Sequence, residues 1–85
     1  MGRTVYSEPS KKLGAGLAEV RREAGVLQEE LASRIGKDQS VISNIERGHR
    51  RIDVLELYAI ARALQIEPSD LFARVTKGFP TTIEV

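Results

Sequence analysis

The 85 residues contain no cysteine and no tryptophan, and histidine occurs only once. Disulfides, thiolate zinc sites and cysteine nucleophiles are therefore excluded, and one histidine leaves metal binding to carboxylates alone. No metal, cofactor or enzymatic chemistry is expected from such a set. No run of about 18 apolar residues is present, so no transmembrane helix is expected and no membrane partner. Met1 to Lys12 has no apolar core before a cleavage-like site, so a secretory signal is not expected and the chain reads as cytoplasmic. What the chain does have is a 41% hydrophobic and 29% charged composition, ordinary for one small soluble domain.

The net charge of +1 hides an uneven distribution. Residues 1–51 carry ten Lys and Arg against seven Asp and Glu, while residues 52–85 carry three against five. A basic half and an acidic half are expected where one face meets an anionic polymer.

Strand signals are absent until the last residues, and the apolar spacing is helical throughout. A first helix is expected from Ser7 or Ser10 to Ala24, with Leu13, Leu17, Val20 and Ala24 inward and Gly25 as its stop. Within it, Gly14 and Gly16 each cost about 1 kcal/mol against alanine. A second helix spans Gln28 to Ile35 and closes on Gly36; a third runs from Gln39 to Arg47, with Asp38 as its N-cap and Gly48 as its end. Asp53 and Glu56 form a capping box before a fourth helix whose inward residues are Val54, Leu57, Ile60, Ala61 and Leu64. Pro68 opens a short fifth helix carrying Leu71, Phe72 and Val75, and Thr81–Val85 has strand propensity without a local partner.

On a wheel of about 100° per residue the third helix turns Val41, Ile42 and Ile45 one way and Ser40, Ser43, Asn44 and Arg47 the other. The second stripe is short, polar and able to donate and accept hydrogen bonds, which suits the base edges of a DNA major groove. Taken alone, it is also what any solvated helix shows. The second and third helices joined by a short Gly36 turn form a helix-turn-helix: Ala32 is small where the third helix crosses, Gly36 takes the positive φ of the turn, and Ile42 and Ile45 lock onto Leu31 and Ile35.

The stretch L-G-A-G-L-A-E-V-R-R-E-A-G-V-L-Q-E-E-L-A-S-R-I-G-K-D-Q-S-V-I-S-N-I-E-R-G-H-R-R, followed by A-R-A-L and P-S-D-L-F, resembles the Cro and repressor (Xre-type) helix-turn-helix family over about residues 12–74. The resemblance implies an all-α, five-helix lambda-repressor-like DNA-binding domain over residues 10–75, with the helix-turn-helix at 28–47. A short N-terminal arm would occupy residues 1–9 and a C-terminal tail residues 76–85. It assigns base-facing roles to Gln39, Ser40 and Asn44, with Ser43 beside them. Gln28 resembles a family glutamine that touches phosphate and braces the first reading residue. Arg47, His49, Arg50 and Arg51, just past the third helix, and Lys37 in the turn are candidate phosphate contacts. Glu46 lies at the border of the apolar side, and the family commonly pairs this position with an arginine of the first helix. A partly buried Arg21–Glu46 pair is expected, with Arg21 also a candidate phosphate contact.

Two positions depart from the family pattern. Leu27 stands where a Ser or Thr usually caps the second helix, a loss of about 1 kcal/mol, and Ile52 replaces a proline common before the fourth.

Family members usually bind as symmetric dimers, so a homodimer on an inverted-repeat operator is expected, with Leu55, Tyr58, Arg62, Phe72, Phe79 and Ile83 as candidate interface residues. Pairing of Thr4–Tyr6 with the tail is a further candidate. The leading reading is a sequence-specific transcriptional regulator of double-stranded DNA. The alternative is an antitoxin or interaction module whose main role is to hold a protein partner such as a toxin.

Overall fold

A computed structural model describes residues 8–85. Five helices follow one another: α1 Glu8–Glu23, α2 Gln28–Arg34, α3 Gln39–Glu46, α4 Val54–Ala63 and α5 Pro68–Val75. Among the described residues there is no strand, and Thr81–Val85, strand-prone by composition, is irregular and exposed. The expected arm and the Thr4–Tyr6 pairing lie outside the described residues, save that Glu8 and Pro9 open α1 instead of preceding it. Proline fits there because the first turn of a helix has no use for its amide.

Each helix gives one large, fully buried side chain to a common centre: Leu17, Leu31, Ile42, Ile60 and Leu71. At about 1.5–3 kcal/mol for each such burial, this five-way junction is the main source of cohesion. Around it α1 packs on α3 and α5, α2 on α3 and α4, and α4 on α5. Val26, between α1 and α2, is also buried. Two residues expected inward are not: Ala24 is exposed beyond the end of α1, and Val54, 80% exposed, begins α4 before the helix reaches the core.

The helix ends follow their local chemistry with two exceptions. At α4 the capping box forms in full, Glu56 N donating to Asp53 Oδ1 at 2.7 Å and Asp53 N to Glu56 Oε1 at 3.1 Å. Asp38 takes the N-cap position of α3 in extended backbone, yet its side chain makes no capping bond. At α2, Leu27 has no oxygen to offer, and one orphan amide is met from the other side, Leu27 N donating to Glu30 Oε1 at 2.9 Å.

Between α2 and α3 the chain reverses at Gly36 with φ +70°, Gly36 N donating to Ser33 O and Lys37 N to Ala32 O. This double closure requires a left-handed residue, which glycine supplies at no steric cost. It sets α3 across the small side chain of Ala32, which is fully covered.

Gly14 is the contact point of α1 with α3. A Cβ built there would lie 2.3 Å from Ile45 O and 2.6 Å from Glu46 O, so the backbone of α1 touches the carbonyl end of α3. The sequence shows this residue only as a weak spot in a helix. The structure makes it the condition for close packing.

Candidate nucleic-acid interface

With Ile42 and Ile45 pinned inward, the 100° step of α3 leaves Gln39 and Ser40 exposed and Ser43 and Asn44 half-buried along its outer side. Four side chains able to donate and accept hydrogen bonds thus line one stripe, with no charge of either sign among them.

The stripe is anchored at its first residue by a relay of side chains. Arg21 Nε donates to Glu46 Oε2 at 2.6 Å and its Nη2 to Glu46 Oε1 at 3.0 Å, a two-pronged pair in which both side chains are almost wholly buried. Gln28 Nε2 donates to the same Glu46 Oε1 at 2.8 Å, and Gln28 Oε1 accepts from Gln39 Nε2 at 3.1 Å. The reading end of α3 is therefore tied through Gln28 to a buried charge pair. Charge-assisted bonds of this kind are shorter and stronger than neutral ones, so they hold orientation well.

Arg21 is turned wholly inward. Its remaining terminal nitrogen donates to Val26 O at 2.8 Å, and the residue is 6% exposed, so it braces α3 and the α1–α2 turn and does not stand toward a phosphate as its charge suggests.

Past α3, Arg47 is exposed and its Nη2 donates to Asn44 Oδ1 at 2.7 Å, fixing the orientation of the Asn44 amide. His49 N and Arg50 N both donate to Asn44 O, which ends the helix. His49 and Arg51 are exposed beside it.

Arg50 is differently placed. Its fork closes on Glu56, Nη1 to Oε1 at 2.9 Å and Nη2 to Oε2 at 2.8 Å, with a third bond from Nη1 to Arg51 O. Lys37 Nζ approaches the same carboxylate at 3.6 Å. The hydrogen bond from Arg50, aided by the Asp53 amide and by both cations, brings the Glu56 carboxyl down to about 2. Glu56 was visible in the sequence only as a helix cap, and an arginine six residues before it was the sole hint of a second duty.

Of the candidate interface residues, Leu55, Tyr58, Arg62 and Phe72 stand exposed on α4 and α5, Arg62 lying over the Tyr58 ring at 5.1 Å from its centre. Phe79 and Ile83 are placed elsewhere. They line a cleft with Pro9, Leu13, Ile45 and Ile52, beside α1 and α3.

The helix-turn-helix family model matches residues 17–71, most of the chain, including the Arg21–Glu46–Gln28–Gln39 relay and the Arg50–Glu56 pair. The chain belongs to the helix-turn-helix family. An uncharacterized HTH-type transcriptional regulator, y4dJ of Sinorhizobium fredii, is 41% identical over 61 residues, covering 72% of this chain and 79% of the relative. Among solved structures, the restriction-modification controller protein C.AhdI from Aeromonas hydrophila is 40% identical, with a TM-score of 0.69 over 73% of this chain and 90% of its own. The wild-type controller protein C.Esp1396I is 30% identical, with a TM-score of 0.74 over 84% and 93% of the two chains. The clp gene regulator ClgR of C. glutamicum superposes over 89% and 99% of the two chains with a TM-score of 0.77, a likeness of fold alone at 24% identity. This helix-turn-helix chain is a DNA-binding transcriptional regulator and not an enzyme. Among its described residues no helix is long and apolar enough to cross a membrane.

Proposed function

We propose that the protein reads an inverted-repeat operator as a homodimer, each copy laying α3 into the major groove. Gln39, Ser40, Ser43 and Asn44 make the base contacts; Gln28, Arg47, His49 and Arg51 meet the flanking phosphates. The observation that carries this reading is the relay from Arg21 through Glu46 and Gln28 to Gln39, because it holds an exposed amide in one orientation before any ligand arrives. An amide held so is suited to a paired contact with adenine, whereas a solvated helix face has no need of a buried charge pair behind it. Two-fold pairing places the second reading helix about 34 Å away, one turn of the duplex. The pairing surface is the solvent side of α4 and α5, where Val54, Leu55, Tyr58 and Phe72 are all more than half exposed.

Selection of bound duplexes from a random pool tests the reading. The recovered sites should be two-fold symmetric, and Gln39→Ala should weaken the preferred site by about 1–3 kcal/mol while relaxing the preference at one position of each half. Recovered sites that lack symmetry, or a preference untouched by both Gln39→Ala and Asn44→Ala, overturn it.

A further inference from the structure

The basic and amide-bearing groups around the reading helix are not equally free. Arg50 makes three hydrogen bonds within the protein, two of them as a fork on the Glu56 carboxylate. That fork-on-two-oxygens arrangement is the one by which a guanidinium takes a phosphate. Lys37 reaches out of the α2–α3 turn to the same carboxylate oxygen that Arg50 Nη2 holds. Glu56 is itself immobilised. Its Oε1 accepts from Asp53 N, its side chain is only 11% exposed, and it sits in the first turn of α4, where the helix dipole favours an anion. A carboxylate fixed by a helix cap thus faces two cations at the edge of the surface assigned above to DNA.

We propose that Glu56 acts as an internal substitute for a DNA phosphate, withholding Arg50 and Lys37 from the duplex and so lowering the affinity of the protein for DNA of any sequence. The inference rests on the DNA-binding reading given above and adds to it a residue that sets overall affinity and salt dependence without touching DNA. Phosphate contacts raise binding to all sequences alike, so removing two of them from play lowers operator and random binding together and shortens the time spent on random DNA. Among the described residues Arg47 and Arg51, before and after Arg50 in the chain, show no such bidentate acidic partner and are left to supply the phosphate attraction. Glu56 remains ionised down to about pH 2, so the restraint acts throughout the physiological range and is not a pH switch.

The salt dependence of binding to a random-sequence duplex measures how many phosphates the protein neutralises, each contributing about 0.9 to the slope of log affinity against log salt. Four proteins are compared: wild type, Arg50→Ala, Glu56→Gln and the double variant. Glutamine keeps the side-chain oxygen that caps α4 and removes only the charge, and circular dichroism verifies the fold. The wild type and Arg50→Ala should share one slope. Glu56→Gln should steepen it by about 0.9–1.8 as one or two cations are released, and bind random DNA roughly tenfold or more tightly at low salt. In that background Arg50→Ala should remove about 0.9 again, which separates a released arginine from a mere gain of positive charge. A loss of about 0.9 on Arg50→Ala in the otherwise wild-type protein would mean that Arg50 already lies on phosphate, and the proposal fails. It fails equally if folded Glu56→Gln keeps the wild-type slope. Wild-type protein that binds no duplex at any salt overturns the DNA reading itself, a distinct result.

Discussion

Arg21 of α1 and Glu46, the last residue of α3, meet through two hydrogen bonds of 2.6 and 3.0 Å with both side chains shut away from water. Among the described residues each is the other's salt-bridge partner, so truncating one strands the other. Glu46→Ala should cost about 3–5 kcal/mol, the range seen when one member of a buried pair is removed. For a domain of this size that corresponds to a fall in Tm of about 12 °C or more. A melting temperature within a few degrees of wild type would place the pair with exposed ones worth about 0–1 kcal/mol.

Gly14→Ala sets two effects against each other. Alanine in a helix interior favours folding by about 1 kcal/mol over glycine. The added carbon, however, would stand 2.3 Å from Ile45 O and 2.6 Å from Glu46 O, and backbone carbonyls cannot swing aside as a side chain can. Forcing α1 off α3 should cost about 1–3 kcal/mol or more, so the net change is destabilising. Urea denaturation reads the sign directly, and a rise in the midpoint contradicts the close crossing.

Gln65→Gly should stabilise. Gln65 ends α4 with φ +59°, donating to Arg62 O while Ile66 N donates to Ala61 O, the same double closure that Gly36 makes after α2. A left-handed conformation costs a side chain about 1–2 kcal/mol, part of which glycine returns as extra freedom in the unfolded chain, leaving a gain of about 0.5–1 kcal/mol. A lowered Tm for this exposed position contradicts it.

Acid should weaken the protein through Glu56. Its carboxyl is held at about 2 against an ordinary 4.5, chiefly by the hydrogen bond from Arg50. A depressed folded value means that the contribution is complete above pH 4.5 and is lost as the pH falls toward 2. Glu56→Gln, which has nothing there to protonate, should show a shallower decline in stability over that interval than the wild type. Parallel decline of the two proteins would indicate that other carboxylates govern acid unfolding.

The helices and their order were legible because their signals are local. Asp53 and Glu56 are three residues apart and cap each other whatever the rest of the chain does. Gly36 and Pro68 mark the α2–α3 turn and the start of α5 by backbone preference alone. The outward stripe of α3 also follows from the helical repeat once Ile42 and Ile45 are taken as inward.

What tertiary structure decided depends on how segments are set against one another beyond the reach of a single helix. Only the crossing of α1 over α3 turns Gly14 from a weak helix former into a point of contact. Val54 has the right chemistry and spacing for the core but starts its helix too early to reach it. Among the charges the difference is greatest: Arg21 and Arg50 look alike in the sequence, yet one is closed on Glu46 inside the protein and the other on Glu56 at its edge. Charge is a property of the residue, but its availability to a partner depends on which opposite charge lies within about 4 Å, and that is fixed only when the helices pack.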